Sequence, residues 1–300
     1  MNVRGFLSLC AALLALSVPS AQAQQRTVHE ERSLYRNITV TQNGDERCML
    51  FRARRGLGRE TCMLVSKPDH LVFEYAPMML SSLFLNPAPQ RILIIGQGGG
   101  TLPMALQELV PNAAIDVVEI DGAVDRIARR FFQFKPGPKT KVFIEDGRVF
   151  VKRAGRQGQK YDLVMLDAFE ADYIPEHMLT REYLQEVKTI MTPNGVLAAN
   201  TFSTSALYDH ESATYRSVFG TFFNMKVGNR VIVTRLGGVP DQETIRRNAA
   251  RFEAEFRRRG GDPAFLFTLM DTRQDWNTNA RILTDQYSPS NVLNAMPRDN

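Results

Sequence analysis

Four aliphatic residues, Ile92 to Ile95, run without a break into Gly96, Gly98, Gly99 and Gly100, and a helical pattern starts at Thr101. A short, wholly apolar run bounded by turn residues fits a strand buried on both faces, as in a parallel sheet. The glycines after it permit a tight turn and let ligand atoms approach the backbone where helix N–H groups point outward. Taken alone, the G-x-G-x-G spacing of Gly96, Gly98 and Gly100 fits tight strand-to-helix packing equally well. Pro103 sits near the start of the helix, where its missing N–H costs little.

From Arg91 onward strand and helix patterns alternate. The strands are "RILIIG", "AIDVVEI", "KVFIED", "YDLVMLD" and "GVLAAN", and "FFNMKV" and "RVIVTR" read as a late antiparallel pair. "LPMALQELV", "AVDRIARRFFQF" and "REYLQEVKTIM" are helical stretches between them. This alternation predicts an α/β fold with a parallel sheet covered by helices. Glu119 closes the second strand, where an acid can accept hydrogen bonds from both hydroxyls of a ribose. Asp146 and Gly147 follow the third strand and Asp167 the fourth. Any one acid can simply cap the next helix. Four matched strand ends on one sheet edge point instead to an adenosine-type ligand. A dinucleotide fingerprint would need glycine at 101, where Thr101 stands, so the short turn is closer to an S-adenosylmethionine-type site.

Met1 to Arg4 gives a short basic start, Gly5 to Val18 an apolar run of 14 residues, and Ala21 to Ala23 an "AQA" cleavage signal. Residues 1–23 are therefore expected to be a cleavable signal peptide, with the protein exported to the periplasm or secreted, because the run falls short of the roughly 20 residues a spanning helix needs. Residues 24–80, with "NITVTQ", "RCMLFRA" and "ETCMLVS", are expected to form a small β domain, and 81–300 the α/β domain. Cys48 and Cys62 flank a hairpin-like "RRGLG" and read either as a disulfide or as two buried thiols. Removal of Arg4 with the signal leaves 36 basic against 32 acidic residues. This small excess, without interleaved aromatics, argues against nucleic acid as a partner, and the arginines of "RRNAARFEAEFRRR" read either as a solvated face or as a weak attraction to an anionic surface.

From about Tyr35 to the C-terminus the chain resembles the spermidine synthase family of polyamine aminopropyltransferases, and especially its divergent members. The likeness rests on "ILIIGQGGGTLP", "VVEID", "EDGRVF", "YDLVMLDAF", "LTREYLQEVKTIMTPNGVLAANTF" and "LTDQYSPSNVL". It implies a Rossmann-like, S-adenosylmethionine-dependent methyltransferase-type domain, with a seven-stranded mainly parallel sheet, behind a small N-terminal β domain, often assembled as a homodimer. The implied co-substrate is decarboxylated S-adenosylmethionine or S-adenosylmethionine, held by Gly96, Gln97, Gly98, Gly100, Glu119, Asp146 and Gly147. Asp167 matches the family's base, which would deprotonate a polyamine acceptor such as putrescine. Glu74, Tyr75 and Glu170 are the candidate acceptor contacts, with Glu74 and Tyr75, in "FEYAPMM" where the family has its Tyr-containing polyamine segment, reading either as substitutes or as packing residues.

The departures are specific. Gly99 stands where the family carries the Asp that binds the aminopropyl ammonium, and the family's D-S-S-D-P segment becomes Asp167, Ala168, Phe169, Glu170, Ala171. No close counterpart of the family's Gly-Gln pair follows the hairpin. Three readings stand: an aminopropyltransferase of altered specificity, a methyltransferase on the same fold, or a non-catalytic nucleoside- or polyamine-binding protein. His29, His70, His177 and His210 lack metal-ligand spacing, so no metal is expected. Ser203 and Ser205 lack a hydrolase pattern. Trp276 reads as core, and Asp285 lies in a family-like segment without an assigned role.

Overall fold

The computed structural model describes residues 25–53, 56–168 and 174–298. Four antiparallel strands, β1 (Arg26–Arg32), β2 (Asn37–Asn43), β3 (Glu46–Ala53) and β4 (Gly56–Leu64), form an N-terminal sheet in sequence order. Seven more, β5 (Arg91–Ile95), β6 (Ala114–Glu119), β7 (Thr140–Ile144), β8 (Tyr161–Leu166), β9 (Met191–Thr201), β10 (Phe223–Val227) and β11 (Asn229–Arg235), form a second sheet in the order β10-β11-β9-β8-β5-β6-β7. Strands β5 to β9 are parallel, and β10 and β11 complete one edge antiparallel to β9.

Both faces of this sheet are buried, which is what the unbroken aliphatic run of β5 requires. Ile92 and Ile94 face one core, with Met79 and Leu80 of α1 (Tyr75–Leu80) and Leu102 and Leu106 of α2 (Thr101–Leu109). Leu93 and Ile95 face the other, with Phe150 of α4 (Gly147–Arg156), Leu184 of α5 (Arg181–Thr189) and Tyr215 of α6 (Leu207–Phe219). Trp276 belongs to this second core, stacked on Phe222 with ring centroids 5.0 Å apart.

The small sheet docks through its own apolar face. Ile38, Val40, Met49, Phe51 and Met63 pack on Val124, Ile127 and Phe132 of α3 (Gly122–Phe131) and its C-terminal end. This places β4 over the glycine turn after β5. The helix α1, which the sequence division puts with the β domain, is packed in the core of the large sheet.

Cys48 and Cys62 stand opposite each other across β3 and β4 and are joined by a disulfide. In the arginine-rich segment at 246–259, Arg246, Arg247, Arg251, Arg257 and Arg258 are exposed, as a solvated face requires, and Arg259 departs from it. The segment continues into helices α7 (Gln242–Ala250) and α8 (Glu253–Arg258), and Arg259 just beyond them is only 2% exposed, paired with Glu108 and Glu255. Helices α9 (Pro263–Leu269) and α10 (Ser290–Ala295) follow, and no described helix is long and apolar enough to cross a membrane.

Arg230 and Glu211 are both fully buried between β11 and α6, with Arg230 Nη1 3.5 Å from Glu211 Oε2. Arg230 also donates to Asn224 and Ser212, each at 2.7 Å. Removing one partner of such a pair leaves an uncompensated buried charge. Arg230→Met is therefore expected to lower the unfolding free energy by about 3–5 kcal/mol in urea titrations near neutral pH; a loss below about 1 kcal/mol would contradict a structural role for the pair.

Candidate functional site

The site grows from the carboxyl ends of β5, β6, β7 and β8. Gly96 has φ +95°, and a Cβ there would lie 2.2 Å from the Asp167 carbonyl oxygen. The turn at the end of β5 and the end of β8 are thus in direct backbone contact, reinforced by the Asp167 N–H donating to Ile95 O at 2.8 Å. Gly100, at φ +86°, begins α2 against the Phe134 ring, where a Cβ would come within 2.4 Å. Both positions exclude any side chain.

Glu119, at the end of β6, is 7% exposed and accepts N–H bonds from Gln97 at 3.1 Å and Asp121 at 3.0 Å. Burial raises its pKa above the ordinary carboxylate value, against those hydrogen bonds. Asp146 caps α4 by accepting from Val149 N–H at 2.9 Å, while its other oxygen lies 3.1 Å from His177 Nε2. At Gly147 a Cβ would reach 2.5 Å from Ile95 Cγ2, so only glycine fits beside β5.

Asp167, just beyond the end of β8, is a buried carboxylate on the cavity wall. Asn200, from β9, donates to its Oδ1 at 2.9 Å, and the Tyr75 hydroxyl, from the start of α1, donates to its Oδ2 at 3.2 Å. Both partners are neutral, so burial dominates and pushes the Asp167 carboxyl up to about 7, with the two hydrogen bonds opposing. The phenol of Tyr75 is raised well above its usual value by burial and by the neighbouring Asp167 charge, which keeps it a donor at neutral pH.

Gly96, Gly98, Glu119, Asp146, Gly147 and Asp167 line one cavity of about 220 Å³. A wider groove of about 640 Å³, lined by Asn200, Ser203, Gly228 and Asn229 among others, lies beside it. Glu60 lines both. Of the residues expected here, Gln97 contributes its backbone N–H to Glu119, while its buried side chain is not among the lining groups and finds no hydrogen-bond partner among the described residues. Gly100 sets the helix start rather than the cavity wall. Glu74 is exposed, with its Oε2 3.1 Å from where a Cβ on Gly228, a groove residue, would sit. Glu170 lies outside the described residues.

Asn200 and Glu60 escaped the sequence reading. The only signal for Asn200 was a polar residue ending an apolar strand; nothing local says that β9 lies next to β8. Asp285 is committed elsewhere: it and Glu186 each hold Arg148 through two hydrogen bonds, fastening the C-terminal segment to α4.

A cavity bordered by a glycine turn and strand-end acids, on a seven-stranded sheet closed by an antiparallel pair, defines a Rossmann-like protein of the S-adenosylmethionine-dependent methyltransferase type. Residues 73–235 match the spermine/spermidine synthase domain. The chain is 46% identical over 298 residues to the polyamine aminopropyltransferase of Vibrio vulnificus strain CMCP6, covering 98% of this chain and 100% of that protein. It belongs to the spermine/spermidine synthase family. Human methyltransferase-like protein 13, crystallised with SAH, superposes with a TM-score of 0.56 at 26% identity, over 74% of this chain and 100% of that one. A spermidine synthase crystallised with the transition-state analogue AdoDATO shares the fold, with a TM-score of 0.58 at 20% identity over 83% of this chain and 85% of that one.

The Asn200 hydrogen bond favours the charged form of Asp167, so removing it raises the carboxyl pKa further. Asn200→Ala is expected to move the Asp167 ionisation midpoint upward by about one pH unit, the equivalent of one hydrogen bond. Carboxyl-carbon NMR titration measures this directly; an unchanged or lowered midpoint would contradict the assignment.

Proposed function

We propose that this protein transfers an aminopropyl group from decarboxylated S-adenosylmethionine to one nitrogen of a putrescine-like polyamine, with Asp167 as the base. The observation that carries this reading is the position of Asp167 on the cavity wall, its carboxylate held by Tyr75 and by Asn200, which itself lines the adjoining groove. The Vibrio vulnificus relative, matched end to end, supports the same reaction class.

The cavity suits the adenosyl part of the donor. Glu119 takes the ribose hydroxyls, and Asp146 with the Gly147 backbone meets the adenine. The glycine turn leaves room for the sulfur and its arm. An acceptor lying in the groove is an ammonium at neutral pH and cannot attack until one nitrogen loses a proton. Asp167 takes that proton. The freed lone pair attacks the propyl carbon next to sulfur, the C–S bond breaks with its electrons passing to the sulfonium, and methylthioadenosine leaves neutral. A base with a pKa near 7 is matched to this task, because it is ionised in a useful fraction yet still proton-seeking. In this reading Tyr75, which donates to Asp167, serves with Glu74 and Glu170 as an acceptor contact.

The 26% identity to methyltransferase-like protein 13 supports a second reading, methyl transfer from intact S-adenosylmethionine in the same cavity. Gly99 is relevant here, since it removes one carboxylate that would disfavour the intact donor. The two readings differ in product.

Asp167→Asn is expected to lower kcat by about 10²–10⁴-fold while methylthioadenosine affinity stays within a few-fold, because the base acts on the acceptor. Ionisation of Asp167 is required, so kcat/KM of the unaltered enzyme falls as pH drops through about 7. That acidic limb should be absent from the residual activity of Asp167→Asn. Unchanged turnover in the variant would remove Asp167 from the mechanism.

We also propose that the chain is exported after cleavage following Ala23. The basic start, apolar run and "AQA" sequence support this, as does the Cys48–Cys62 disulfide, a bond favoured in oxidising compartments. N-terminal sequencing of protein recovered from the periplasm or medium should begin at Gln24; an intact Met1 on protein confined to the cytoplasm would refute export.

A further inference from the structure

Two cations meet in the proposed reaction besides the sulfonium: the ammonium of the donor's aminopropyl arm and the distal ammonium of the acceptor. Each needs a counter-charge. Asp167 is occupied with the attacking nitrogen, and both its oxygens already accept hydrogen bonds. Glu119 and Asp146 lie at the ends of β6 and β7, toward the nucleoside end of the cavity. At the loop position where the arm would be met, Gly99 has no side chain.

Thr61 of β4 covers that position: a Cβ on Gly99 would lie 2.7 Å from Thr61 Cγ2 and 2.8 Å from its Oγ1. The residue before it is Glu60. In the pairing of β3 with β4, Met49 faces Thr61 and Leu50 faces Arg59, so Glu60 is the extra residue of a β-bulge. Bulges next to active sites re-aim side chains that regular pleating would send elsewhere. Here the bulged segment puts Glu60 in the lining of both the cavity and the groove, next in sequence to the Thr61 that covers Gly99. The Cys48–Cys62 disulfide ties β4 to β3 two residues further on.

We propose that Glu60 is the specificity-determining carboxylate that binds the donor's aminopropyl ammonium, so that the charge absent from the glycine turn is supplied across the cavity by the bulged strand of the N-terminal sheet. This inference rests on the aminopropyl-transfer reading and assigns the donor selectivity of that same site. A carboxylate at this point attracts the decarboxylated donor and repels the extra carboxylate of intact S-adenosylmethionine.

Calorimetric titration of the disulfide-bonded protein with decarboxylated S-adenosylmethionine and with methylthioadenosine, which lacks the ammonium, tests it. Glu60→Gln preserves shape and removes charge. It is expected to weaken the decarboxylated donor by about tenfold to a hundredfold, the range for a charged hydrogen bond. Methylthioadenosine affinity should stay within about twofold, which also reports that the variant is folded; Glu60→Asp should recover part of the loss. Equal changes for both ligands, no change for either, or an effect confined to the KM of the polyamine would overturn the assignment. Failure of the parent reading looks different: the unaltered protein would bind the donor in a Glu60-dependent way yet form no aminopropylated product.

Discussion

The contact between the Gly96 backbone and the Asp167 carbonyl governs the rest of the site. A Cβ at Gly96 would lie 2.2 Å from that carbonyl oxygen, so only glycine lets the turn after β5 pass against the chain leaving β8. That approach joins the turn suited to a nucleoside to the carboxylate suited to a base. It also determines what surrounds Asp167. Strand β9, next to β8, brings Asn200 to one oxygen, and the start of α1 brings Tyr75 to the other.

Two buried acids show how placement separates chemistry from architecture. Burial pushes both Asp167 and Glu211 up to about 7. Glu211 lies inside the protein core beside the guanidinium of Arg230, an arrangement that serves packing of α6 on β11. Asp167 opens on a cavity and has only neutral donors, so its proton affinity remains available to an incoming cation. Retaining such a carboxylate costs stability that a salt bridge in its place would reduce, a common compromise at functional sites.

Much of this was legible in the sequence because it is written locally. Apolar runs ending in glycine or acid mark β5 to β8 and their ligand-facing ends, and the alternation with helices marks the parallel sheet. The rest depends on which strands become neighbours. The Cys48–Cys62 pairing follows from the β3–β4 register, the role of Asn200 from the adjacency of β8 and β9, and the aim of Glu60 from a bulge that no short pattern announces. Arg259 looked like part of a solvated basic face because its neighbours are arginines; its burial against Glu108 comes from a residue 151 positions away. Gln97, conspicuous within the glycine motif, acts through its backbone.

Reaction stoichiometry tests the central claim most directly. The disulfide-bonded protein is incubated with decarboxylated S-adenosylmethionine and putrescine, and both products are quantified by mass spectrometry. Aminopropyl transfer requires spermidine and methylthioadenosine to appear in equal amounts, with their formation lost in Asp167→Asn. A methylated amine formed from intact S-adenosylmethionine, or tight nucleoside binding with no new C–N bond, would contradict it.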